Sequence, residues 1–282
     1  MDATNTNKDR TIQLDGGRTL GYAEYGDPQG RPLFYFHGWP SSRIEARSWQ
    51  GDAIAARLNI RLIAVDRPGT GLSDFLPKRR FVDWPKDVCA LADHLGLPKF
   101  AVMSYSAGSP YALACAAFSG AERRPAASAW GIPDRLTRVG IVSGVGQPFS
   151  APGATKGMPT IMLWTTARIH PRLTALLFSM MRGTLEKAPR DQLPTSAKQA
   201  MMAEADFEYI KQNPRINGAN LDGGVEAMRR GTYGPAYDAS LYWKPWGFRL
   251  EDIHVPVLVW HGEEDLNAPV EPHGRHLAKT IP

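Results

Sequence analysis

Between residues 32 and 142 the chain alternates short β-branched and aromatic runs with longer stretches of helical periodicity, and this alternation constrains its fold more than any other feature. Strands are expected at 32–36, 61–65, 100–103 and 139–142, and helices at 46–58, 84–95 and 107–118. Parallel strands need long crossovers, and a helix in each crossover covers the faces of the sheet. A hairpin of 11–14 and 19–25, turning at Gly16-Gly17, precedes this series. The near-continuous apolar run 255–260 reads as a seventh strand, buried on both faces. The expected class is therefore α/β, a mostly parallel sheet with helices on both faces.

The strand pattern stops from about 146 to 253, where helix-length apolar stripes at 161–181, 196–212 and 225–229 are broken by Pro and Gly. This region is expected to be a helical cap insertion, dividing the core into 1–145 and 254–282. Residues 119–133, rich in Ala, Pro, Arg and Ser, read as a surface loop. With 282 residues, 43% of them hydrophobic, the chain can bury one large core. The net charge of +5 comes from 33 basic and 28 acidic residues without dense Lys/Arg runs, which argues against nucleic acid as a partner. The polar start and the lack of a membrane-length apolar stretch lead to the expectation of a cytoplasmic protein with no membrane span. Cys89 and Cys115 are expected to be buried free thiols, and no metal or cofactor motif occurs. The oligomeric state is left open.

Ser106 stands between the strand ending Val102-Met103 and an alanine-rich helix, in Ser104-Tyr105-Ser106-Ala107-Gly108. A serine on such a sharp strand-to-helix turn is held with its hydroxyl above the sheet, provided that the residues two before and two after are small. Gly108 meets that requirement, and Ser104 takes the place where glycine is usual. The next candidates are Phe36-His37-Gly38-Trp39-Pro40 after the third strand, Asp66-Arg67-Pro68-Gly69-Thr70-Gly71-Leu72-Ser73-Asp74 after the fourth, and His261-Gly262-Glu263-Glu264-Asp265 after the seventh.

These four motifs, in this order, resemble the α/β-hydrolase fold superfamily, in its serine-nucleophile branch with a helical cap. The resemblance implies Ser106 as nucleophile and Asp265 as the acid of a triad, with the backbone amides of Trp39 and Ala107 as an oxyanion hole. It implies supporting roles for His37 and Gly38 in the oxyanion turn and for Gly108 behind the serine, and an architectural role for Asp66 and Arg67. The family's histidine follows the acid on a loop after a further strand. Only 17 residues follow Asp265, and 270–281 read as one helix. The expectation is thus a C-terminally truncated chain with its last strand and helix missing. His273 and His276 fall where the family commonly carries solvent-facing residues.

The resemblance implies cleavage of an ester or related acyl bond of a small hydrophobic substrate. A serine at the elbow argues against the dehalogenase and epoxide-hydrolase branches, and leaves esterases, lactonases, thioesterases, C–C hydrolases and cofactor-free peroxidases. Trp164, Leu176, Leu177, Phe178, Met180, Met181, Tyr242, Trp243 and Trp246 suggest an apolar pocket under the cap. The alternative is a catalytically impaired or non-catalytic protein of the same fold that binds a small ligand.

Overall fold

A computed structural model describes residues 8–119, 135–191 and 202–282. The loop expected at 119–133 lies almost wholly outside them. Strands β1 (Asp9–Gln13) and β2 (Thr19–Gly26) form the expected hairpin, with Gly16 and Gly17 at φ 84° and 78° in its turn. There follow β3 (Arg31–Phe36), α1 (Gly51–Arg57), β4 (Ile60–Val65), α2 (Trp84–His94), β5 (Phe100–Tyr105), α3 (Ser109–Ala117) and β6 (Leu136–Val142). The sheet order is β1-β2-β4-β3-β5-β6-β7. Pairs β1·β2 and β2·β4 are antiparallel, and the four pairs from β4 to β7 are parallel. The α/β class and the mostly parallel sheet are as the alternation implied.

Alternate residues of the central strands supply two cores. Phe34, Phe36, Val102, Val139 and Ile141 pack with Trp84, Tyr111 and Leu113 on one face. Tyr35, Leu62 and Ala64 pack with Ala46 and Ala55 on the other. Full burial of each large side chain contributes about 1.5–3 kcal/mol. The helix expected over 46–58 is broken into a short 3-10 turn, Arg43–Arg47, and α1, because Gln50 takes the left-handed conformation at φ 56°.

Between β6 and β7 lie α4 (Ile161–Ile169), α5 (Pro171–Lys187), α6 (Glu204–Gln212), α7 (Arg215–Ala227) and α8 (Tyr233–Leu241). The stripe 161–181 is two helices rather than one, since His170 leaves helical geometry (φ −150°, ψ 86°) and Pro171 restarts the chain at the first position of α5. Part of the stripe 196–212 lies outside the described residues, and its remainder forms α6. The stripe 225–229 overlaps the end of α7, and α8 had no expected counterpart.

Among the described residues, strand β7 (Val257–Trp260) pairs with β6 alone. The expectation of burial on both faces fails: Val257 and Val259 pack on the core, whereas Leu258 and Trp260 are 45% and 55% exposed. Residues 270–281 are not one regular helix. Glu271–Arg275 is a wide π-type turn, and α9 (His276–Thr280) completes the segment. Cys89 and Cys115 are buried free thiols, as expected. Among the described residues, no helix is long and apolar enough to cross a membrane, and no cluster could hold a metal ion.

Candidate active site

Strand β5 delivers Ser106 into a turn where its φ is 49°, the left-handed region that a non-glycine residue enters at a cost of about 1–3 kcal/mol. Gly108 makes the close approach possible, since a Cβ there would lie 2.2 Å from the Phe36 carbonyl oxygen and 3.0 Å from that of His37. The serine turn is thereby pressed against the end of β3. The single Ser109 hydroxyl proton is shared between the carbonyls of Ser106 and Val145, 2.9 and 2.8 Å from Oγ, closing the first turn of α3. Ser104, in the usual glycine position, is fully buried and its hydroxyl has no partner among the described residues.

The His37-Gly38-Trp39-Pro40 turn sits beside it, with the Tyr105 ring against Gly38. His37 is fully buried. Its Nδ1 faces the Gly38 carbonyl at 2.9 Å, and Nε2 accepts from the Arg67 amide at 3.4 Å. Burial, then the Arg67 charge, push its pKa well below the usual imidazole value, so the ring is neutral and committed to the turn. Arg67 donates to the carbonyls of both His37 and Gly38. Asp66 accepts from the amides of Arg43 and Leu72 and from the Arg43 guanidinium. The expected architectural role of this loop is thus visible in its bonds.

Glu45 belongs to the site, and sequence reasoning did not single it out. Its carboxylate accepts from the Gly38 amide at 2.9 Å and the Tyr35 hydroxyl at 2.6 Å, and burial raises its pKa. The Gly38 N–H is thus occupied by Glu45. The Ala107 amide is in the first helical turn, where no acceptor exists within the helix.

Asp265 follows β7. Its Oδ1 accepts from the amides of Asn267 and Ala268, both at 2.9 Å, and its Oδ2 is 3.7 Å from His261 Nε2. The His261 ring contacts the Ala268 carbonyl through Nε2 at 2.5 Å, and its buried Nδ1 has no partner among the described residues. Tyr105 is 43% exposed, and partial burial, followed by the negative charges of Glu45, Asp265 and Asp206, raises the pKa of its phenol. Asp265 also lines a cleft of about 600 Å³, bounded by Lys156, Glu204 and Glu271 among others.

None of the seven histidines hydrogen-bonds the Ser106 hydroxyl. His273 is not solvent-facing as expected. It is fully buried, accepting from the Gly146 amide at 3.1 Å and facing the Ala154 carbonyl at 2.8 Å, and burial lowers its pKa to about 4. The wide turn at 271–275 rotates it inward. His276 lies near Thr280 Oγ1, and His170 caps α5.

The nine apolar residues expected to line a pocket divide. Trp164 and Phe178 pack on Trp39 at ring distances of 4.2 and 5.5 Å, and the Tyr242 hydroxyl donates to the Ala107 carbonyl. Trp243 donates to the Trp164 carbonyl, and Trp246 packs on Phe81. Leu176, Leu177, Met180 and Met181 point away into solvent, because the inward face of α5 is already occupied by Thr174, Ala175 and Phe178.

The helices between β6 and β7 are bound to the core by buried charge. Asp238 of α8 pairs with Arg79 at 2.9 Å and Arg67 at 3.1 Å and accepts from the Tyr111 hydroxyl, all fully or almost fully buried. Glu226 of α7 pairs with Arg43 at 2.7 Å, and Trp39 Nε1 donates to the Pro235 carbonyl at 2.7 Å.

Residues 31–282 match the family model of the alpha/beta hydrolase fold. No curated protein matches the sequence. Many solved structures are similar. They include an enol-lactonase from Burkholderia xenovorans LB400, with TM-score 0.63 and 19% identity over 96% of this chain and 88% of that one. A thermophilic esterase from Thermogutta terrifontis gives 0.62 and 20%, over 97% and 86%. A bromoperoxidase from Bacillus anthracis gives 0.61 and 19%, over 97% and 88%.

Proposed function

Because this chain belongs to the alpha/beta hydrolase fold family, we propose that it cleaves an ester or related acyl bond of a small hydrophobic substrate, with Ser106 as the nucleophile. The observation that carries this reading is the positive φ of Ser106 at the end of β5, a strained geometry that a mere helix start does not need. Similar structures named as an esterase and an enol-lactonase lend support to acyl chemistry.

In this reading Ser106 Oγ bonds to the substrate carbonyl carbon while the carbonyl π pair moves onto oxygen. The Trp39 and Ala107 amides stabilise that oxyanion, each worth about 2.7–4 kcal/mol by analogy with single oxyanion donors. Collapse expels the alcohol with a proton, and water then cleaves the acyl-serine. Water relays the serine proton to the departing alcohol oxygen, and the Asp265 carboxylate stabilises the positive charge that develops along that relay. The helices between β6 and β7 act as a cap, and Trp39, Trp164 and Phe178 supply the apolar wall.

Among the described residues no imidazole meets the Ser106 hydroxyl, and this favours a second reading, a protein of this fold that binds a small apolar ligand without turning it over. One experiment separates them. Turnover of p-nitrophenyl esters and of lactones is measured for the chain and for Ser106→Ala, alongside labelling by an alkyl phosphonate with peptide mapping and ligand binding followed by tryptophan fluorescence. The hydrolase reading expects phosphonate on Ser106 and a loss of kcat/KM of at least about 10³-fold in the variant. Turnover that survives in Ser106→Ala overturns it. Equal ester binding by both proteins with no turnover establishes the second reading.

A further inference from the structure

Helix α5 is apolar on two opposite sides. Its inner side packs Ala175 and Phe178 against Met228, Ala236 and Trp39. Its outer side carries Leu173, Leu176, Leu177, Met180 and Met181, spaced i, i+3, i+4, i+7 and i+8, which is one continuous helical stripe. All five are exposed, Leu176 to 57% and Met180 to 71%. Helix α4 packs beside α5 and carries two further exposed apolar side chains, Met162 at 82% and Ile169 at 76%. A helix that is apolar all round is ordinarily buried all round, and an apolar patch this long on a protein surface ordinarily meets a partner.

The charges around the stripe select the partner. Across 161–187 the sequence carries Arg168, Arg172, Arg182 and Lys187 against one carboxylate, Glu186, and that carboxylate is tied to Arg182 at 2.6 Å. Arg172 and Lys187 edge the stripe without an ion pair to any described residue.

We propose that the outer face of α4 and α5 docks on an anionic lipid bilayer, with Leu176 and Met180 entering the acyl boundary and Arg172 and Lys187 meeting the head groups. A basic-edged apolar stripe lying in the plane of the surface is the form such contacts take. A second copy of the chain is the poorer occupant. An isologous antiparallel pair of α5 helices would set Arg172 of one copy beside Lys187 of the other, and the face has no free carboxylate to offset them. Docking also has a geometric consequence. The inner side of the same helix holds Phe178 on Trp39, so the docked face lies one helix away from the serine turn. Delivery of a membrane-dissolved ester to Ser106 would rest on the hydrolase reading; the docking itself does not.

The test therefore measures binding alone, on the full chain carrying Ser106→Ala. Co-sedimentation is compared for phosphatidylcholine vesicles with and without phosphatidylserine. The expected result is binding that needs phosphatidylserine. It should weaken about tenfold or more in Leu176→Ser/Met180→Ser and again in Arg172→Glu/Lys187→Glu, with unchanged circular dichroism, since these side chains are exposed. Failure to bind phosphatidylserine vesicles overturns the proposal, as does undiminished binding by both double variants. A dimer seen by light scattering that Leu176→Ser/Met180→Ser dissolves also overturns it, and assigns the face to a second copy.

Discussion

Replacing Gly108 by alanine would drive a methyl carbon to within 2.2 Å of the Phe36 carbonyl oxygen, and backbone on that side cannot swing away as a flexible side chain could. The serine turn would have to shift from the His37 turn. Gly108→Ala is expected to destabilise the fold by about 1–3 kcal/mol, as overpacking does, and to reduce phosphonate labelling of Ser106 by an order of magnitude or more; urea unfolding and labelling rates check the two effects. His273 makes a prediction about acid. Its folded pKa of about 4 lies below the ordinary 6.5, so the unfolded chain binds the proton first and stability falls as pH drops from about 6.5 to about 4. The loss is on the order of 3 kcal/mol at most. In denaturant titrations across that window, His273→Gln should show about one proton less of pH dependence; an unchanged slope would remove His273 from the account. Local geometry was legible where a motif fixes a residue's neighbours in sequence, as in the sharp turn at Ser106, the close approach at Gly108 and the loop bonds of Arg67. Glu45 and His273 were not. Their partners, Tyr35 and Gly38 for the one and Gly146 and Ala154 for the other, are brought to them by tertiary packing that no local pattern encodes.

At the scale of elements, the β-α alternation located every strand to within three residues, because β-branched runs flanked by helix-length periodicity leave little choice. Helix continuity was the harder matter. The break at Gln50 comes from one residue's backbone conformation, and the break at His170 could have been read from Pro171. Outward apolar faces were misassigned for a physical reason: periodicity reports that a side chain is apolar, not which side of α5 the core lies on. The join between α8 and the core carries the clearest prediction at this scale. Asp238→Ala leaves Arg67 and Arg79 buried without their carboxylate, which costs about 3–5 kcal/mol. Arg67 also holds the His37 and Gly38 carbonyls. The variant should therefore unfold at markedly lower urea, and lose ester turnover or ligand affinity under conditions where it is still folded. Asp238→Asn, which keeps the shape and loses the charge, should fall between the two proteins.

At the scale of the molecule, β7 is an apolar strand with one edge unpaired among the described residues and with Leu258 and Trp260 uncovered. Exposed edges of this kind template association between chains. Light scattering of the 282-residue chain should rise with concentration, and Leu258→Lys should suppress that rise while leaving the unfolding free energy within about 0.5 kcal/mol, as for an exposed position. The sequence made the strands, their mostly parallel arrangement and the covering helices readable. It did not make readable how firmly the helices between β6 and β7 are seated. That seating bears on protein engineering. Insertions in this region look like interchangeable parts, to be exchanged between scaffolds in search of new selectivity. This one would reach a foreign scaffold with Asp238 and Glu226 facing inward and their guanidinium partners left behind. Arg43, Arg67, Arg79 and Tyr111 would have to travel with it, so the transplantable unit is a pair of surfaces drawn from two distant stretches of chain.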